Sequence, residues 1–303
     1  MIPSQEFESM AYLAYKTSLT NDKTGAYELE ESVFKTYNTD YTNDTLKEPS
    51  QLLLFRKTNE GKFSSMLERN KRISKLSSKN KDGAIEVSTG KDKDTDTKQD
   101  TSDVNFNIND LTGSGPNATL RESKSITSLD FFNSEYFKKF KYSFGERTFY
   151  QGRELIKIDF FNKRKIEHTY YKGSVYLDFE SLAIVAVDYN ERAKIPFYVN
   201  LLLKTIVSFT IDNVERDVRV RNQPIDNIWY PKDVVFDIKI TLKQKGEFEQ
   251  ISIAQLYNIQ EIITADALPI EEEKRFDGEL EYEEQIFPID GVVWESINVI
   301  GFD

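Results

Sequence analysis

The sequence predicts an α+β fold, mainly β: one large, curved antiparallel sheet packed against a few helices. Two observations carry this. From Tyr142 to Ile263, segments of strand length rich in β-branched and aromatic residues follow one another, broken by turn signals and by no long helix. Strands in such direct succession build antiparallel sheet, not βαβ units. Only two stretches, Thr127–Lys141 and Phe197–Lys204, carry a helical signal. At 303 residues the chain can bury a large core, and it reads as a single β-rich domain over 1–303 with a mobile insertion at about 74–124.

The elements follow in order. In Tyr27–Tyr37 the residues Tyr27, Leu29, Val33 and Tyr37 share one period-2 face, interrupted by Glu31, which predicts a strand. Gln51–Lys57, apolar and bounded by Pro49 and Asn59, predicts another. Between Ser74 and Asp103, 13 of 30 residues are charged and none is aromatic. Such a segment cannot bury enough apolar area to offset the entropy of ordering it. It reads as a mobile loop extending into Gly113-Ser-Gly-Pro116. Next, Leu129, Phe132, Tyr136, Phe137 and Phe140 recur at helical spacing, with Thr127 or Ser128 as cap and Lys138, Lys139 and Lys141 at the C-terminal end. This face seals a core; alternatively Phe132, Tyr136, Phe137 and Phe140 line an apolar ligand cleft.

Tyr142–Phe144 and Thr148–Tyr150 flank Gly145-Glu-Arg, a hairpin signal. Arg153–Phe161 alternates as a strand. Lys165–Tyr171 is polar and suits a turn or an edge. Val175–Phe179 and Leu182–Tyr189 form a second hairpin. The series continues through Ile206–Ile211, Val214–Val220, Trp229–Leu242 and Gln250–Ile263, with the short helix Phe197–Lys204 after Pro196. No internal repeat of fixed period is visible.

Composition removes much chemistry. There is no cysteine and one histidine, His168. Disulfides, thiolate nucleophiles, Cys-ligated metals and His-rich metal sites are excluded. His168 sits in a polar segment with no Gly-x-Ser-x-Gly elbow elsewhere, and no phosphate-binding Gly-rich loop is present. Asp92, Asp94 and Asp96 have the spacing of a calcium loop but lack its Gly and terminal Glu. No catalytic residue, metal site or cofactor is therefore expected, and the chain reads as non-enzymatic. A hydrolase using two carboxylates stays open as a second alternative, because 51 acids offer too many pairs to choose among.

The formal net charge is −11. Taken whole, it argues against DNA or an anionic membrane as the main partner, and no nucleic acid is expected. Residues 271–303, however, hold eleven acids and two bases, so the other 270 residues carry only −2. The acids interleave with apolar side chains, and Glu279, Glu281, Tyr282, Glu283, Glu284, Phe287 and Trp294 form a candidate strip for a protein partner. The apolar end from Val292 to Phe302 should dock on the body. No apolar run approaches the ~20 residues of a spanning helix. Met1-Ile-Pro-Ser-Gln has no leader character, so a literal reading places the chain in the cytoplasm.

Several segments together resemble a family of exported Bacteroidota proteins, the carboxypeptidase-like regulatory domain-containing proteins, in the region after their small immunoglobulin-like domain. The matching pieces are Tyr27–Tyr37, Gln51–Lys57, Tyr142–Tyr150, the hairpin Tyr171–Tyr189 (YKGSVYLDFESLAIVAVDY) and the tail Trp294-Glu-Ser-Ile-Asn-Val-Ile. In the hairpin, Gly173 reads as permitting a turn and Ser181-Leu-Ala-Ile as starting the return strand. The resemblance implies a LolA-like half-barrel with helices on its concave face. It also implies a periplasmic, outer-membrane-associated location, with a signal peptide removed from this chain. Expected on that basis is a non-enzymatic cell-envelope binding or scaffold protein, an accessory subunit of an outer-membrane protein complex. The alternative is a periplasmic carrier of a lipid or other apolar ligand.

Overall fold

A computed structural model describes residues 6–20, 25–39, 48–61, 66, 115–116, 119, 130–166, 168–278 and 280–299. Eleven strands form one antiparallel sheet. In chain order they are β1 (Phe7–Leu19), β2 (Tyr27–Asn38), β3 (Ser50–Glu60), β4 (Phe140–Phe144), β5 (Thr148–Tyr150) and β6 (Arg153–Asn162). There follow β7 (Thr169–Asp178), β8 (Ile184–Ala193), β9 (Thr210–Ile225), β10 (Ile228–Gln244) and β11 (Glu247–Ile263). The spatial order is β3-β2-β1-β11-β10-β9-β8-β7-β6-β4, with β5 also on β6. Paired strands are consecutive in sequence except where β1 pairs β11 and where β4 pairs β6. The edge strands β3 and β4 do not pair with each other, so the sheet stays open as a curved half-barrel.

Alternation assigns the faces. Along β10, Val234, Phe236, Ile238, Ile240 and Leu242 are all buried on one side, opposite Ile251, Ile253 and Tyr257 of β11. This inner face holds the main core, which runs from Phe7 on β1 to Phe160 on β6. Burying each such side chain is worth about 1.5–3 kcal/mol. The helix α1 (Phe197–Val207) packs Leu203 against this face. Asn200 ties it to β9: its Nδ2 donates to the Ile211 carbonyl at 2.9 Å, and the Ile211 N–H donates back to Oδ1 at 2.8 Å. Ser208, in the left-handed region at φ 63°, turns the chain from helix to strand.

The C-terminal segment wraps the β3 edge. After β11 it crosses the inner face, where Phe276 and Tyr282 pack on Phe34 with ring centroids 5.0 and 6.3 Å away. The Phe276 N–H donates to the Ser50 carbonyl at 2.6 Å and the Phe287 N–H to the Leu52 carbonyl at 2.8 Å, both on β3. The chain then returns over the outer face, where Ile297 and Trp294 join Tyr12, Val33 and Leu53. Exposed edge strands invite pairing with other chains, and this wrap covers part of one.

Five readings of the sequence need correction. Asp130–Lys139 is a series of tight turns ending in a 3₁₀ turn, not part of a helix over Thr127–Lys141 (127–129 lie outside the described residues). Asn133 supplies the reason: its side chain accepts from the Glu135 N–H at 3.0 Å, a local bond that competes with helix, while Phe140 is drawn into pairing with Asn162. Next, β4 and β5 do not pair as a hairpin; both lie along β6 as one edge strand interrupted at Gly145–Arg147. The two segments Ile206–Ile211 and Val214–Val220 divide differently, the first mostly helix end and turn, the second part of the long β9. Gly173 is not at a turn but inside β7, between Phe160 and Tyr189. Finally β1, absent from the sequence reading, is an interior strand between β2 and β11. Most of the proposed insertion at 74–124 lies outside the described residues. Gly115, Pro116 and Thr119, within it, are buried.

Candidate functional site

The inner face ends at the β4 edge in an apolar hollow of about 340 Å³. Its geometry follows from strand register. Ile158 of β6 is the cross-strand partner of both Phe144 on β4 and Val175 on β7. Side chains two residues along, Tyr142 and Leu177, face the same way and complete the strand-borne lining. The turns before β4 add Phe131, Phe132 and Phe137. Ser143 is the one polar residue of the lining.

A hydrogen bond and ring contacts anchor the turns. Tyr142 donates its hydroxyl to the Phe131 carbonyl at 2.7 Å. Phe131 stacks on Phe160 with centroids 4.2 Å apart and packs on Tyr189 at 5.3 Å. Burial pushes the Tyr142 hydroxyl above its usual pKa, so it stays neutral at any physiological pH. The hollow is thus a preformed, uncharged, aromatic-walled concavity. It can hold an apolar group, and its lining contains no acid, base or metal ligand.

The residues singled out from sequence fall in different places. Phe132 and Phe137 line the hollow. Phe140 is buried in the aromatic cluster, 6.1 Å from Phe160, and Tyr136 packs on the core with the Lys139 ammonium 4.3 Å above its ring. Phe131, Tyr142, Phe144, Ile158, Val175 and Leu177 were missed. The period-2 alternation in β4, β6 and β7 marks the last five as inward-facing, but only the register brings them together, and Phe131 comes from the turns.

The acidic strip divides by residue type. Tyr282 sits among Phe34, Phe55 and Phe276, and burial pushes its hydroxyl up to about 12. Trp294 lies on Arg56, 4.2 Å from its guanidinium. Phe287 is half-buried at the β3 edge, whereas Glu281, Glu283 and Glu284 are exposed. Glu279 lies outside the described residues. A smaller hollow of about 130 Å³ under this segment includes Glu8 and Glu261, with Glu8 engaged by Lys35 at 2.7 Å. His168 is exposed in a turn at φ 73°.

Fold and site together define an open antiparallel half-barrel with an apolar hollow at one edge. No family model matches the chain, and no curated protein matches it. Among solved structures it is similar to a DUF1329 family protein from Desulfovibrio piger, with 9% identity over 88% of each chain and a TM-score of 0.24. It is also similar to lipovitellin, in a structure described as showing lipid–protein interactions. There the identity is 8%, the match covers 96% of this chain but 28% of that one, and the TM-score is 0.34. Similarities of this size leave the functional reading to the molecule's own geometry.

Proposed function

We propose that the protein is a non-enzymatic binding protein of the cell envelope that holds the apolar part of a ligand, such as an acyl chain, in the hollow at the β4 edge. The observation that carries this reading is the hollow itself: about 340 Å³, lined by eight aromatic or aliphatic residues and one polar residue, Ser143. That volume lies at the small end of ligand sites, about 300–1,000 Å³, and suits one chain and not a whole bilayer lipid. The periplasmic, outer-membrane-associated placement rests on the family resemblance of the hairpin and tail.

The test is displacement of a fluorescent apolar probe, N-phenyl-1-naphthylamine, by fatty acids. Probe binding that is displaced by long-chain acids, and lost when Val175→Trp fills the hollow, supports the reading. A folded protein that takes up no probe contradicts it.

A second reading, an accessory subunit of an outer-membrane protein complex, is favoured by the exposed carboxylates Glu281, Glu283 and Glu284 beside the β3 edge. Such a partner would present cations. Salt-sensitive capture from native envelopes, weakened by Glu→Gln changes at these three positions, supports it; capture indifferent to both contradicts it.

A further inference from the structure

The corner beside the mouth of the hollow is built differently from the rest of the surface. Lys138, Lys139 and Lys141 precede and enter β4, and Lys163, Arg164 and Lys165 follow β6. The two runs are adjacent, since the Lys163 N–H donates to the Lys139 carbonyl at 3.1 Å. All six side chains are exposed, and none is in an ion pair among the described residues. Glu135, exposed on the same turns, offsets one of these charges.

Aromatic rings are set among the cations. Phe161 and Tyr170 are exposed, with Lys141 Nζ 5.9 Å from the first ring and Lys165 Nζ 5.4 Å from the second. By alternation Lys141, Phe161 and Tyr170 lie on the outer face, while Phe137 and Phe144 line the hollow on the inner one, so rings flank this edge on both faces; Phe144 is 83% exposed. Exposed rings set among exposed cations match the two layers of an anionic lipid surface: rings at the interface, cations at the headgroups.

The net charge of −11 does not oppose this, because nine units of it arise in residues 271–303. The exposed tail carboxylates lie by β3, at the far edge of the sheet. Nine strand spacings of ~4.8 Å put about 40 Å of sheet between the two edges, and even bent into a half circle this leaves roughly 25 Å, about three Debye lengths at physiological salt. The acidic edge and the basic corner therefore act separately at the surface, and together they orient the molecule with the β4 edge toward negative charge.

We propose that this corner docks the protein on an anionic lipid surface, so that the mouth of the hollow faces the headgroups. The proposal goes beyond ligand binding and can fail separately from it. The experiment is co-sedimentation of the full chain with vesicles of phosphatidylcholine alone, and with vesicles in which phosphatidylglycerol replaces part of it, at low and high salt. Expected is binding about tenfold or more tighter to the anionic vesicles, and its loss at high salt. The combined variant Lys138→Glu, Lys163→Glu, Arg164→Glu and Lys165→Glu, shown to be folded by circular dichroism, should lose that binding. Phe161→Ser should weaken it by a smaller factor. Glu→Gln changes at 281, 283 and 284 should leave it intact.

Val175→Trp separates the two proposals: it should abolish probe uptake and leave vesicle binding unchanged. Equal binding to both vesicle types, no binding to either, or indifference to the charge reversal would overturn the docking proposal. So would single-stranded DNA bound as tightly as the anionic vesicles, which would make the corner a general polyanion site.

Discussion

Glu31 shows how a residue out of pattern becomes a fixed point of the structure. It interrupts the apolar face of β2 yet is buried. Its carboxylate accepts from Tyr12 Oη at 2.7 Å and from Arg56 Nε and an Arg56 terminal nitrogen at 2.6 and 2.7 Å. Burial pushes its pKa up, but the bonds from Arg56 and Tyr12 outweigh that and hold it below the usual 4.5. Asp178 behaves alike in the β7–β8 turn. Its burial is outweighed by bonds from the Ser181 hydroxyl and N–H and from Arg153, which hold its pKa below 3.8. Both carboxylates are easier to ionise folded than unfolded. Their stabilisation is therefore present above the unfolded values and is lost as pH falls through the folded ones. The urea midpoint is expected to fall between pH 6 and about pH 3 by more in the wild type than in a Glu31→Gln, Asp178→Asn variant. Equal falls would contradict this. Arg56→Leu leaves a buried carboxylate without its cation and, because Arg56 is itself 43% exposed and screened by solvent, should cost about 1–2 kcal/mol by urea unfolding.

Gly173 belongs to the same scale. A Cβ there would lie 2.2 Å from the Asp188 carbonyl oxygen and 2.7 Å from Tyr189 Cβ. The absent side chain lets β7 and β8 approach while Phe131 stacks against Phe160 and Tyr189. Gly173→Ala is expected to destabilise by about 2 kcal/mol or more and to loosen the wall of the hollow. An unchanged midpoint with unchanged probe binding would contradict it.

At the scale of elements, the tail and the broken β4–β5 edge do most to shape the molecule's surface. The tail's aromatic anchors hold it across the β3 edge. Phe276→Ala with Trp294→Ala should release it, exposing strand edge to other copies. Analytical ultracentrifugation is expected to show concentration-dependent association in that variant and none in the wild type.

Apart from β1, strand existence was legible from alternation, as the near match of Tyr27–Tyr37 to β2 and Trp229–Leu242 to β10 shows. What escaped was pairing. Gly145 carries the signal of a turn, but it sits where an edge strand kinks along β6, its N–H donating to the Lys157 carbonyl at 2.9 Å. The aromatic spacing in 129–140 mimics a helix because tight turns also place every third or fourth residue on one side. Phe132 and Phe137 were therefore found for the hollow by a pattern that does not form the predicted element. The strand-borne walls could not be found at all, since they depend on which residue of β6 faces which of β4 and β7.

For the whole molecule, an open sheet solves one problem and creates another. Its inner face buries a continuous core, but the unpaired edges leave places where that core is incompletely covered. The tail covers part of the β3 edge. At the β4 edge the turns 130–139 cover only part, and the hollow is what remains. Its apolar lining makes affinity a function of buried methylene count. Each CH₂ should add about 0.8 kcal/mol, roughly fourfold, until the hollow is full.

The most direct measurement is isothermal titration of a series of saturated fatty acids of increasing length into the wild type and Val175→Trp. Affinity is expected to rise about fourfold per methylene, to level off at a defined length, and to be abolished or cut short in the variant. Affinity independent of chain length, or a series that Val175→Trp leaves unchanged, would contradict an apolar ligand site in the hollow.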